Sequence, residues 1–234
     1  MNLNIVIPVH NEEENIGKLI EEIDKIRNQI KDYCEILIVN DHSQDNTVNI
    51  VKDKMLKYAN IKLIANDGRN GLGYALRRSF KEIRSGAIVI VMADFADRID
   101  DIPIMYERIK QGWDVVCGSR YMQAGQAIHH NKIKGFFSKF LGWILHKTKK
   151  LPTRDATNSF KMFTYDTLKQ IQPLKSQGFT IGLELIIKAH NKGFRITEIP
   201  TVFQDRIFGK SSFNIARTIP EYLKWSTYAL IKKG

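Results

Sequence analysis

Apolar positions in the first half of the chain come in short, nearly unbroken runs: "NIVIPV" (4–9), "EILIVND" (35–41), "IKLIAN" (61–66) and "AIVIVMAD" (87–94). Runs this short and this rich in Val and Ile predict strands. Between them the spacing changes. Ile16, Leu19, Ile20, Ile23 and Ile26 recur at helical intervals within "NEEENIGKLIEEIDKIRNQI", and further helices are predicted near 46–58 and over "GLGYALRRSFKEI". Asn11 followed by Glu14 has the form of a helix N-terminal cap. Continuous apolar strands separated by helices predict an α/β fold whose mostly parallel sheet is covered on both faces. Ligands of such sheets bind beyond the carboxyl ends of the strands. "PVHNE", "NDHSQD" and "ADFAD" all fall there.

The second half is less regular. "DVVCGSRY" (114–121) predicts a strand and a turn. Farther on, Ile133, Phe136, Phe137, Phe140, Leu141, Ile144 and Leu145 mark one apolar face of a helix whose other face is basic. No acid occurs from Val115 to Arg154, and Phe136, Phe137, Phe140 and Trp143 make the segment aromatic. That composition suits a helix lying in a membrane interface. A segment over 217–233 repeats the theme with Tyr222, Trp225 and Tyr228. With no repeat or linker, residues 1–234 read as one domain carrying amphipathic helices near 131–147 and 217–233.

Charge narrows the choice of partners. The chain has 36 Lys+Arg against 25 Asp+Glu, a formal charge of +11, which favours anionic partners. Nucleic acid is the least favoured of these, because the aromatics and lysines form no base-stacking platform and no helix–turn–helix or zinc pattern occurs. Two distant cysteines, Cys34 and Cys117, argue against a disulfide framework and for a reducing compartment. No signal peptide is recognisable, and no run approaches the ~20 apolar residues of a bilayer span. The expectation is a peripheral protein on the cytoplasmic face of a membrane.

The motifs "IVIPVHNEEENI", "EILIVNDHSQDNT", "GSRY", "DATNSFKMF", "EIP" and "R-x-x-GKS" follow one another in an order that resembles the inverting family 2 glycosyltransferases. More narrowly they resemble the dolichyl- and polyprenyl-phosphate sugar synthases, of which dolichyl-phosphate mannose synthase is the type. The resemblance covers nearly the whole chain. It implies a GT-A (nucleotide-diphospho-sugar transferase) fold, a three-layer sandwich around the predicted sheet. It also implies transfer of a sugar, with mannose from GDP-mannose the default, to dolichyl or polyprenyl phosphate. UDP-glucose and UDP-N-acetylglucosamine stay open as donors.

Site residues follow from the same resemblance. Pro8, Val9, Asn11, Glu12, Val39, Asp41, Gly71 and Ala93 would border the nucleotide, with Glu12 accepting from ribose hydroxyls and Asp41 meeting the base or ribose. The glycines of "RNGLGYA" would let backbone approach the ligand. Mg²⁺ or Mn²⁺ would bridge the diphosphate to carboxylates, since hard cations take oxygen ligands. The usual D-x-D pair is altered: Asp94 takes the place of the second acid, Ala93 replaces or shifts the first, and Asp97 is the candidate to compensate. Asp100 is expected to cap the helix that starts near Ile102-Pro103. On the acceptor side, Arg120 and Arg206 would handle phosphate, Lys134, Ser138 and Lys210 would hold the lipid phosphate, and Asp155 would orient partners. A separate membrane-anchoring subunit is a further open partner. Two other readings are a family 2 transferase acting on a saccharide or protein, with Asp155 as general base, and a non-enzymatic anion-binding module.

Overall fold

A computed structural model describes residues 1–128, 132–204 and 215–231. Its first half alternates strictly: β1 (Leu3–Val9), α1 (Ile16–Arg27), β2 (Cys34–Asn40), α2 (Thr47–Met55), β3 (Ile61–Ala65), α3 (Leu72–Phe80), β4 (Ala87–Ile90) and α4 (Ile102–Lys110). Then follow β5 (Val115–Ser119), β6 (Gln126–Ile128), α5 (Lys132–Lys149), β7 (Lys161–Thr164), α6 (Tyr165–Gln170), α7 (Ile181–Asn191), β8 (Ile196–Pro200), β9 (Val202–Gln204) and α8 (Ile215–Ile231). The described residues form a seven-stranded sheet in the order β3-β2-β1-β4-β7-β5-β8 and a two-stranded one of β6 and β9. Strand β7 alone runs antiparallel to its neighbours β4 and β5.

The unbroken apolar strands have a simple cause, because both faces of the sheet are covered. Val6, Leu37, Val39, Ile88 and Ile90 pack on one side with Leu76 of α3, Leu183 of α7 and Trp225 of α8. Ile5, Ile7, Ile36, Ile38 and Val89 pack on the other with Ile20 of α1, Val51 of α2 and Met105 of α4. The chain turns to one side of β1 for β2 and β3 and returns on its other side as β4. That reversal opens a crevice at the carboxyl ends of β1 and β4, the usual ligand position in such a sheet.

Two local expectations are corrected. Asn11 and Glu14 do not cap α1, which starts at Ile16 after Asn15. Asn11 has φ 55 and its side chain accepts a hydrogen bond from the Gln44 amide at 2.8 Å, so it joins two loops instead. The strand predicted over 87–94 stops at Ile90. Val91 and Ala93 are apolar because they are buried, while the antiparallel partner β7 reaches only as far as Val89.

Candidate active site

The loops after β1 and β2 are laced together. The Asn11 amide donates to Ser43 Oγ (3.0 Å), Glu12 N–H to Thr47 Oγ1 (2.8 Å), Glu13 N–H to Asp45 Oδ2 (3.1 Å) and Asn46 N–H to Glu13 Oε2 (2.8 Å). Asn11 and His42 (φ 61) both occupy the left-handed region, which Asn and His enter more readily than most residues. Buried Asp41 sits at the centre: Oδ1 accepts from Asn66 Nδ2 at 2.6 Å and Oδ2 from the Gly71 amide at 2.8 Å. His42 Nδ1 lies 3.3 Å from Oδ1, so about one of the carboxylate's four lone-pair sites remains for a ligand. Pro8, Val9, Val39 and Ala93 are buried around this point, and Glu12, also buried, accepts from Asn15 Nδ2 at 2.9 Å.

The glycines of "RNGLGYA" have a cause within the protein itself. A Cβ on Gly71, where φ is 141, would stand 2.7 Å from the Gln177 carbonyl oxygen, and one on Gly73 would stand 2.2 Å from that of Ser176. The backbone they approach is the protein's own, and the result is a turn whose Gly71 N–H is aimed at Asp41.

Beyond β4 lie two carboxylates in unlike settings. Asp94 is partly exposed and accepts from the Ala96 amide at 3.2 Å. Asp97 is buried, and among the described residues neither of its oxygens has a hydrogen-bond partner. Burial pushes its pKa up to about 7, the neighbouring Asp94 charge pushes the same way, and Arg120 opposes them. A D-x-D pair ending on Asp94 has its first acid at position 92, where Met92 stands, so Ala93 is the middle residue. Asp100 is exposed and does not cap α4. Asp101 holds the N-cap position without a capping bond, and its carboxylate binds Arg98 Nε (3.0 Å) and Thr201 Oγ1 (2.7 Å). Among the described residues no three His, Cys, Asp or Glu cluster as a metal cage. Asp94 and the orphaned carboxylate of Asp97 nonetheless fit a hard cation that draws its other ligands from phosphate oxygens and water.

The third corner is a buried ion pair. Arg120 Nε and Nη2 donate to Asp155 Oδ2 (2.6 Å) and Oδ1 (2.7 Å), and the Arg120 amide also donates to Oδ2 (3.0 Å). Burial opposes ionisation of Asp155, but the charge and hydrogen bonds of Arg120 override it and hold the carboxyl below its usual range. Arg120 Nη2 also reaches Ser138 Oγ (3.0 Å) and Thr157 Oγ1 (3.1 Å), which lie 2.5 Å from each other. The guanidinium packs against the rings of Tyr121 and Phe203, 5.1 and 5.0 Å from their centroids. Phe203 is bridged to Asp97 through the backbone, which ties this corner to the carboxylates after β4.

Beneath the pair, fully buried Lys161 donates to the carbonyls of Ala156 and Asn158 and so fixes the loop carrying Asp155 and Thr157. Thr157, Lys161 and Phe203 escaped the sequence reading. Thr157 stands two residues from Asp155 in "DATNSFK", a signal that was available, whereas a lysine in a strand reads as solvent-facing. The side chain of Lys134, and Arg206 and Lys210 altogether, lie outside the described residues.

Helix α5 presents an uneven apolar face. Leu141 and Leu145 join the core, while Phe136 (72% exposed), Phe140 and Trp143 (55%) are outside and stack in succession, with centroids 6.0 and 6.3 Å apart. Ile133 and Phe137 lie outside the described side chains. In α8 the expected surface aromatics Tyr222 (7% exposed) and Trp225 (4%) are core residues, whereas Leu223, Leu230 and Ile231 are exposed. No helix among the described residues is long and apolar enough to cross a membrane.

Comparison with known proteins bears on the fold and the family. Residues 4–172 match the model of glycosyl transferase family 2. The chain is 31% identical over 236 residues to a dolichol-phosphate mannosyltransferase of Pyrococcus furiosus, covering 99% of this chain and 64% of that one. It is 26% identical to dolichyl-phosphate beta-glucosyltransferase ALG5A of Trichomonas vaginalis, covering 87% and 66%. The chain thus spans about two thirds of the length of these relatives. Among solved structures, glucosyl-3-phosphoglycerate synthase from Mycobacterium tuberculosis, in complex with Mn²⁺, UDP and phosphoglyceric acid, superposes with a TM-score of 0.70 at 13% identity, covering 100% of this chain and 80% of that one. The expected GT-A fold is thereby borne out, and the chain belongs to glycosyl transferase family 2.

Proposed function

We propose that this chain transfers one hexose or N-acetylhexosamine from a nucleotide sugar to a dolichyl or polyprenyl phosphate, inverting the anomeric carbon. One observation carries the reading: the buried carboxylate of Asp97, without a hydrogen-bond partner among the described residues and beside Asp94, shares the carboxyl end of the sheet with the Arg120–Asp155–Ser138 cluster. That arrangement supports separate, chemically distinct places for the donor and acceptor phosphates. Mg²⁺ or Mn²⁺ held by Asp94 and Asp97 would act as a Lewis acid that neutralises the departing diphosphate.

Asp41, backed by Asn66 and the Gly71 amide, presents a fixed acceptor to the base or ribose, with Glu12 beside it. The acceptor is an anion already at pH 7, so it needs alignment more than a strong base. Asp155 is committed to Arg120 and suits an orienting role better than that of a base. One phosphate oxygen forms a bond to the anomeric carbon as the bond to the nucleoside diphosphate breaks on the opposite face. GDP-mannose is the first donor to test, given the Pyrococcus furiosus relative, and UDP-glucose the second, given the Trichomonas vaginalis relative.

The exposed Phe136, Phe140 and Trp143, interspersed with exposed Lys139 and Lys147, suit docking on an anionic bilayer surface that contains the lipid acceptor. The free, buried Cys34 and Cys117 accord with the cytoplasmic face. The test is a panel of radiolabelled nucleotide sugars with a short-chain polyprenyl phosphate, with and without Mn²⁺. Product from one donor, dependent on the metal, is expected. Absence of lipid-linked product from every donor overturns the reading.

A further inference from the structure

Arg120 is the obvious clamp for an acceptor phosphate, yet three of its five side-chain N–H groups already face partners inside the protein. Nε is used by Asp155, and Nη2 has Asp155 Oδ1, Ser138 Oγ and Thr157 Oγ1 all within 3.1 Å although it carries only two hydrogens. Asp155 also cancels its charge. The groups set on the outer side of this pair are two hydroxyls: Arg120 and Asp155 are buried, whereas Ser138 and Thr157 are partly exposed.

We infer that Thr157 is a second hydroxyl of the acceptor-phosphate site, acting beside Ser138, with Arg120 and Asp155 as the positioning pair that fixes both. This rests on the function proposed above. The two hydroxyl oxygens are 2.5 Å apart, so one proton lies between them. Both lie within reach of the Arg120 Nη2 hydrogen that Asp155 leaves over, and accepting from a cation strengthens a hydroxyl as a donor. When Thr157 donates to Ser138, the Ser138 proton can turn from the Tyr121 hydroxyl to a phosphate oxygen. When the direction reverses, the Thr157 hydroxyl, whose other acceptor is Asp155 Oδ1 at 3.4 Å, is released in the same way. A phosphate monoester presents several acceptor oxygens and can take both. The position of Thr157 is rigid, because Asn158 Nδ2 bonds the Gly118 carbonyl at 2.9 Å, Thr153 Oγ1 accepts from the Asp155 amide at 3.0 Å, and Lys161 holds the carbonyls on either side of Thr157.

Binding of a water-soluble short-chain polyprenyl phosphate to the whole chain, by titration calorimetry with nucleoside diphosphate and Mn²⁺ present, tests this alongside steady-state transfer. Thr157→Val should weaken binding and raise the acceptor KM about 10-fold while kcat changes less than about 2-fold, and Thr157→Ser should restore both. A double variant with Ser138→Ala should lose less than the product of the single losses, because the two hydroxyls share one proton. Inorganic phosphate as competitor should show the same dependence on Thr157, and the matching polyprenyl alcohol should show none. If valine prevents folding, Thr157→Cys replaces it, with the same KM rise expected from a weak thiol donor. Wild-type affinity in Thr157→Val, or a fall in kcat at constant KM that serine does not rescue, overturns the role of Thr157 alone. A wild-type protein that binds the alcohol as tightly as the phosphate overturns the lipid-phosphate reading itself, and this role with it.

Discussion

Two buried aspartates on neighbouring loops have opposite fates. Asp155 is surrounded by donors: the Arg120 side chain and amide fill its oxygens, and its pKa lies below the usual range although burial alone would raise it. Asp97 has burial with far weaker compensation among the described residues, and its pKa rises to about 7. Desolvation acts on both, so the partner decides. A satisfied buried charge is architecture, and an unsatisfied one fits a group that arrives later.

The comparison breaks most readily at Asp155. Asp155→Ala leaves the Arg120 charge buried and unpaired, and the expected loss is about 3–5 kcal/mol in chemical denaturation. Asp97→Asn, in contrast, removes a weakly compensated carboxylate. The folded state should be as stable as before or more so, while Mn²⁺ binding, followed by electron paramagnetic resonance, weakens and turnover falls about 100-fold, or about 2.7 kcal/mol. A destabilised Asp97→Asn protein that keeps its Mn²⁺ affinity would erase the distinction between the two acids.

Acid titration sharpens the same contrast. The folded pKa of Asp155 is depressed, so the stability it contributes is fully present above the unfolded value near 3.8 and is lost as pH falls through the folded one. Denaturation midpoints of the wild type should therefore fall faster below pH 4 than those of Asp155→Asn. Parallel curves would show that Asp155 is not ionised in its pair.

Smaller effects separate architecture from ligand contact elsewhere. Gly71→Ala meets a left-handed φ and the Gln177 carbonyl, and a loss of about 1–3 kcal/mol is expected without any ligand present. If stability is unchanged and only nucleotide affinity falls, the glycine serves the ligand instead. Trp143→Ser, on the exposed stack of α5, should weaken sedimentation with anionic vesicles by about 1–2 kcal/mol and leave the melting temperature unchanged. Trp225→Ser, in the core, should do the reverse.

The sequence by itself determined the alternation of strands and helices, the two-sided burial of the sheet, and the placing of "PVHNE", "NDHSQD" and "ADFAD" at one end of it. Periodicity of 2 or 3.6 and strand-end polarity are local, and neighbours in sequence carry them. The tertiary structure decided which charges are paired and which aromatics face outward. Trp143 and Trp225 sit in similar amphipathic patterns, yet one is exposed and the other buried, because α8 packs under the sheet with one face of α5. Arg120 and Asp155 are 35 positions apart, and Asp97 and Phe203 farther still, so no window of sequence contains either pair. Partners brought together only by folding set the pKa of a buried group, and that is why Asp97 and Asp155 could be named as candidates from the sequence but told apart only in three dimensions.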